Sequence, residues 1–416
     1  MKKLICLLMS VCSTAALVVS CTPKESDNGF KPALDVNTEC NLKLAGNYSN
    51  FQAMEDAFDR FNKYYPKVTL DIVKIDSYEN SIGNVLDSKD KPNIFFSFPW
   101  MIGNEKYESV VKHMENLSDP KLKLNLSNIR PGLLTKDKDG NVLEMPMFTR
   151  TYGMFINNEL FKKENLNVPT NYNELLTVCS AFKEKGYENP MMGYTLKEGN
   201  SWMNAVAYPM FLATLSKTEG AIAKANSLDP SAGEYMRDAL TAVSNLISNN
   251  CIDTEACKSI ANNYEKVLER FAIGDVPMMI CGEDTSSKKD IVKFDYSYAP
   301  IPLTSEGGYF ADCISRSLSV NKNCENLDMT NEFMRFLLSG NELNELAVKK
   351  LLLSPTKDYS FYSIYAPFGQ VPQNRILYPE GLGVKSTAND QLKSAAFKVG
   401  KGEMTVQQAI DNYGKF

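Results

Sequence analysis

The sequence predicts a two-lobed α/β protein. Three observations lead to that class. At 416 residues the chain is too long for one hydrophobic core. A β-α-β-α-β pattern fills the first lobe, and a second α/β pattern begins near residue 149.

The folded part is expected to begin near Cys40. "CNLKLAG" alternates polar and apolar residues and predicts a strand. "GNYSNFQAM" then turns the chain into a helix, with Ser49 and Gln52 at capping-box spacing. Phe51, Met54, Phe58, Phe61 and Tyr65 recur every three or four residues, which puts them on one helix face, and Pro66 closes the helix. "VTLDIVKI" is the second strand. "ENSIGNVLDS" is a short helix, and "NIFFSF" is the third strand. "TYGMFINNELF" predicts a strand running into a helix. "PTNYNELLTVCSAFKEKGY" is a helix with Leu175, Val178, Cys179 and Phe182 on one face and Gly186 at its C-terminal cap. Residues 201–272 are helical in pattern. "VPMMICG", "YSYAPIPL" and "ISRSLSVNK" predict strands, and helices run from Met329 to Lys350.

The first twenty residues differ in kind. Lys2 and Lys3 precede an apolar run from Leu4 to Val19, too short to span a bilayer comfortably, which is the pattern of an export signal. The run ends "LVVSC". A small residue directly before Cys21 resembles the lipobox of bacterial lipoproteins, which implies cleavage before Cys21 and diacylation of its sulfur. "TPKESDNG" then suits a flexible tether, so residues 21–38 are expected to link anchor and fold.

Composition excludes several functions. Lys plus Arg number 45 against 50 Asp plus Glu, with no basic run, so nucleic acid is not an expected partner. His113 is the only histidine and no CxxC occurs, so neither a Cys/His zinc site nor a cofactor is expected. Seven cysteines remain after Cys21: Cys40, Cys179, Cys251, Cys257, Cys281, Cys313 and Cys324. An odd number cannot all pair, and most are expected to be small buried apolar residues.

Six segments in order carry a resemblance: "FDRFNKYYPKVTLDIV", "VLDSKDKPNIFF", "MENLSD", "YGMFINNELFKKENLNVPTNYNELLTVCSAFKEKGY", "FAIGDVPMMICGE" and "YAPIPL". Together they resemble the group 1 extracellular solute-binding proteins of bacterial ABC importers, over nearly all of the chain after about residue 38. The resemblance implies a two-lobed periplasmic-binding-protein-like fold (type II) with a ligand cleft between lobes. It places chain crossings near Arg150, Met279 and Ser317, giving lobe 1 as residues 39–149 plus 280–316 and lobe 2 as 150–279 plus 317–416. It further implies a monomeric, non-enzymatic receptor, anchored to the extracytoplasmic face of the membrane through Cys21. Such a receptor would deliver a mono- or oligosaccharide to its permease.

Candidate ligand residues follow from that cleft. Asn47 and Tyr48 follow the first strand, while Ser49 is equally suited to capping the helix. Trp100 ends "KPNIFFSFPW" at the third strand's carboxyl end. It is either core or a flat apolar surface for a sugar ring. Arg150 stands where the resemblance expects an acidic sugar-contacting residue, and its fork of donors suits hydroxyls or a carboxylate. "EGNSW" matches a cleft-lining loop and offers Asn200 and Trp202, the latter with no apolar run behind it. Tyr208 lies beyond it. Glu283 and Asp284 in "CGED" are hydrogen-bond acceptors, and Asp312 and Arg316 lie near the third expected crossing. Tyr64 and Tyr65, adjacent as in iron-binding relatives, end an amphipathic helix and are expected to be structural. Two other functions compete with this one. A glycan-active enzyme needs two carboxylates flanking one bond, which adjacent Glu283 and Asp284 do not provide. The same fold binding a polyamine, metal ion or peptide stays open.

Overall fold

The computed structural model describes residues 29–47, 50–197, 200–260, 264–282, 291–350, 352–358 and 363–416. Two sheets organise it. The first holds β1 (Cys40–Gly46), β2 (Val68–Lys74), β3 (Ile94–Ser97) and β4 (Met145–Arg150). The second holds β5 (Tyr152–Asn157), with β6 (Met191–Gly193), β9 (Met278–Gly282) and β10 (Tyr296–Ala299). Between β6 and β9 in the chain lies a small hairpin, β7 (Thr195–Lys197) and β8 (Asn200–Ser201). β11 (Phe310–Ala311) pairs with β13 (Ile376–Leu377), and β12 (Cys313–Val320) returns to the first sheet. The sheet orders are β2-β1-β3-β12-β4 and β10-β5-β9-β6.

In lobe 1, β1 runs parallel to β2 and to β3. The helix Gln52–Asn62 covers this sheet because Met54, Phe58 and Phe61 share its inner face. Phe58 and Phe61 meet the ring of Phe333 at 5.2 and 5.1 Å between centroids. Gly46 ends β1 where a Cβ would come within 2.7 Å of the Phe96 ring, so the close approach of strand and ring needs glycine. Tyr65 is buried, and its hydroxyl donates to Glu332 Oε1 at 2.5 Å and accepts from the amides of Ala33 and Leu34 at 3.1 Å each. The adjacent tyrosines are packing and hydrogen-bonding elements at the helix end.

Lobe 2 begins with β5, whose Asn157 side chain caps the following helix by accepting from Leu160 N at 3.1 Å. Asn171 caps Tyr172–Glu184 in the same way, and Gly186 (φ +90°) ends it, with Tyr187 N donating to Phe182 O at 3.0 Å. The helix Trp202–Lys217 is buried on nearly every side and forms the centre of the second core. No disulfide joins the seven cysteines from Cys40 onward, and five of them are buried among apolar side chains.

The two cores divide the chain. One gathers residues from Phe30 to Phe148 together with Ile314 to Leu352, and the other residues from Met154 to Cys313 together with Leu353 to Tyr413. The chain leaves the first sheet at Thr151, between β4 and β5. The later crossings depart from expectation: none lies near Met279, and the one expected near Ser317 lies at Asp312 and enters lobe 1 instead of leaving it. β9 and β10 both pair with β5 inside lobe 2, whereas Ser317 lies within lobe 1, opposite Ser97. The return to lobe 1 is at Asp312, between β11 and β12. The last connection leaves Leu353 and Thr356, bridged to Thr149 and Ile129, and reaches the second core by Ile364.

Candidate functional site

Strand directions locate the cleft. β12 is antiparallel to both β3 and β4, so β4 runs parallel to β3 and β1. The carboxyl ends of β1, β3 and β4 therefore share one edge of the first sheet. That edge carries Asn47, the turn Phe98–Met101 and Arg150. In the second sheet Tyr152 lies opposite Gly282, and Gly193 opposite Ile280. The amino end of β5 and the carboxyl ends of β6 and β9 thus meet the first edge around Thr151, and ligand sites in α/β sheets form beyond strand carboxyl ends.

Pro99 cannot extend the ladder and opens a single 3-10 turn, Pro99–Met101. The chain turns away there, and Trp100 is left 39% exposed while Ile94, Phe95 and Phe96 are fully buried. The indole stacks on Phe98, with centroids 5.1 Å apart and planes 13° from parallel, and Tyr107 meets it edge-on at 5.0 Å. Asn47 is half-buried, and its Oδ1 has no hydrogen-bond partner among the described residues. Beneath this edge Glu144 is fully buried. Thr135 Oγ1 donates to its Oε1 at 3.0 Å, and loss of solvation raises its carboxyl to about 7.

Arg150 ends β4 with its side chain exposed, opposite Cys313. Its positive charge acts on Glu380, a residue that no sequence pattern marks. Burial raises the Glu380 carboxyl to about 8, against the opposing pull of Arg150 and of the Ile314 amide, which donates to Oε1 at 3.2 Å. Glu380 lies in "YPEGLG", where neither helical nor strand spacing marks it; only the docking of this segment against β12 makes it part of the site. Asp312 and Arg316 fall on the second crossing and on β12. Asp312 is fully buried and ion-paired with Arg130 at 2.7 Å, so it serves the connection between lobes.

Trp202 does not present the free face expected of it. Its side chain has no exposure and sits within the second core. The reason is Gly193: a Cβ there would lie 2.3 Å from Trp202 Cβ, so the missing side chain leaves the space the tryptophan enters. Asn200 and Ser201, whose polarity suggests exposure, form β8 instead, with Asn200 opposite Lys197. What the hairpin root does hold is polar. Thr195 Oγ1, Ser201 Oγ, Trp202 Nε1 and Asn204 Oδ1 are buried with no hydrogen-bond partner among the described residues. Such groups are rare in folded proteins. Tyr208 is almost fully buried and meets Tyr152 edge-on at 5.6 Å. Cys21, Tyr48, Ser49, Glu198, Glu283 and Asp284 lie outside the described residues.

Among the described residues, no group of three His, Cys, Asp or Glu side chains is placed to hold a metal ion, and no helix is long and apolar enough to cross a membrane.

The family model described as bacterial extracellular solute-binding protein matches residues 45–339. No curated protein matches the sequence. Solved structures share the fold at low identity. The sugar-binding protein MalE from Xanthomonas citri superposes with a TM-score of 0.71 at 15% identity, covering 90% of this chain and 95% of that one. The apo form of RafE from Streptococcus pneumoniae gives 0.69 at 14% identity, covering 92% and 98%. A sugar transporter from Bacillus licheniformis in complex with stachyose gives 0.60 at 17% identity, covering 90% and 98%.

Proposed function

The chain belongs to the bacterial extracellular solute-binding proteins, and from that premise we propose that it captures a mono- or oligosaccharide in the cleft between its lobes and delivers it to the permease of an ABC importer. The observation that carries the sugar reading is the Trp100 indole, held flat on Phe98 with 39% of its surface open at the carboxyl end of β3. A pyranose presents a C–H face that such a ring accepts, while its hydroxyls need donors and acceptors around the rim. Asn47 and Arg150 stand on the same sheet edge, and Tyr48, Asn200, Glu283 and Asp284 complete the proposed contacts. Trp202 joins them only through its indole N–H at the hairpin root. The stachyose bound by the Bacillus licheniformis protein, which shares the fold, supports the same ligand class.

The lobes close only if the ligand makes contacts in the closed state that it lacks in the open one. A micromolar Kd corresponds to about −8 kcal/mol, within reach of one stacked ring and several hydrogen bonds. Through Cys21 the protein is proposed to be lipid-anchored on the extracytoplasmic face, and no catalytic residue is assigned. Calorimetry against a panel of mono- and oligosaccharides, with polyamine, metal-ion and peptide arms, tests the reading. Binding of a sugar is expected; binding of a cation or peptide with no sugar binding overturns it.

A further inference from the structure

Two lobes joined by three connections turn about a hinge made of the few residues in those connections. Arg130, in lobe 1, touches all three. Its Nη2 lies 3.4 Å from Thr149 Oγ1, two residues before the first crossing. Its Nε and Nη2 reach Oδ2 of Asp312, the second crossing, at 2.9 and 2.7 Å. Its Nη1 donates to the carbonyl of Thr356, on the third connection, at 2.8 Å. The main chain repeats the pattern, since Arg130 N donates to Pro355 O at 3.0 Å and Thr149 N to Leu353 O at 2.9 Å.

Asp312 ties one lobe to the other. Its carboxylate is fully buried against Arg130 of lobe 1, while its amide donates to Leu377 O of lobe 2 at 2.8 Å. Close by, lobe 2's segment 378–382 rests on lobe 1. A Cβ on Gly132 would lie 2.3 Å from the Tyr378 ring, and one on Gly381 would lie 2.6 Å from Gly132 O.

We propose that Arg130 is the positioning residue of the hinge, its guanidinium clasping the three interlobe connections into one bearing about which the lobes rotate. Only a planar fork of five donors can serve a carboxylate, a carbonyl and a hydroxyl in different directions at once; a lysine ammonium at the same place reaches one or two of them. The clasp is independent of which solute the cleft takes.

Hydrogen–deuterium exchange on the unliganded full chain tests this. In Arg130→Lys, peptides covering residues 147–151, 311–314 and 353–357 are expected to exchange about tenfold faster together, while β3 and β9 keep wild-type rates, because the loss is local to the bearing. Unchanged exchange, loosening of a single connection, or an equal rise in β3 and β9 overturns the proposal, the last by showing a merely structural role. Should Arg130→Lys fail to fold, Arg130→Gln combined with Asp312→Asn removes the pair without leaving a buried charge unmatched. The same three-peptide pattern is expected there, and wild-type exchange in that variant overturns the clasp.

Discussion

The indole of Trp100 and the ring of Phe98, two residues apart, lie nearly parallel at 5.1 Å. The turn between them begins with Pro99, so the chain folds back just where β3 ends. One face of the indole is thereby committed to protein and its orientation is set before any ligand arrives. A ring pre-placed in this way loses little conformational entropy on binding, which makes it a better contact than a mobile side chain.

Trp100→Ala should therefore weaken solute binding without unfolding lobe 1, whose core lies behind Phe96. The expected loss is about 1.4 kcal/mol, or a tenfold rise in Kd. Calorimetry with a sugar that the wild type binds, alongside a melting curve, checks both halves. An unchanged Kd in a folded variant would remove the aromatic shelf from the site.

Glu144 predicts a pH dependence of stability. Burial raises its carboxyl from the ordinary 4.5 to about 7. Below pH 4.5 both the folded and unfolded forms hold the proton and the group costs nothing. Between 4.5 and 7 the unfolded chain releases it while the folded one retains it, so stability falls as pH rises. Above about 7 the loss is complete, on the order of 3 kcal/mol. Glu144→Gln should flatten the decline in melting temperature between pH 5 and 8; a decline as steep as the wild type's would mean another group is responsible.

Gly193 and Trp202 offer a test of the second core. Gly193→Ala places a methyl carbon where Trp202 begins, so the strand or the indole must move. Overpacking of this kind costs about 1–3 kcal/mol. In a Trp100→Phe background Trp202 is the sole tryptophan, and its emission should shift to the red as the ring is displaced. Blue emission and an unaltered melting temperature would contradict the packing described.

Much of the fold was legible because it is locally written. The spacing of Met54, Phe58 and Phe61, the Asn171 cap and the alternation in "CNLKLAG" each depend on neighbours a few residues away. Chain crossings are not local. Nothing within "VPMMICG" says that β9 pairs with β5, more than a hundred residues earlier, and so belongs to lobe 2. The same limit hid the Arg130–Asp312 pair, separated by 182 positions, and Glu380, whose helix Pro379–Leu382 is too short to show a period. Trp202 misled for a related reason. Its sequence neighbours are small and polar, but its spatial neighbour is Gly193 and the core beneath it.

Tyr65 separates a structural role from a binding one. Its hydroxyl joins the helix end to Glu332 and to the amides of Ala33 and Leu34, tying the segment that precedes β1 onto the lobe. Desolvation and the neighbouring Glu332 carboxylate push the phenol up to about 12, so it keeps its proton and its donor role across the physiological range. Tyr65→Phe removes that donor and the acceptor of the Leu34 amide, a loss of about 1–3 kcal/mol, while Ala33 N keeps Glu332 Oε1 at 2.8 Å. Glu332 retains Arg335, whose Nη2 donates to Oε1 at 2.7 Å, so the carboxylate is not stranded and the variant should fold. The melting temperature is expected to fall while the Kd for solute stays at the wild-type value, because Tyr65 is buried in lobe 1 away from the strand ends that carry Asn47, Trp100 and Arg150. A rise in Kd at unchanged stability would instead give the adjacent tyrosines a part in binding.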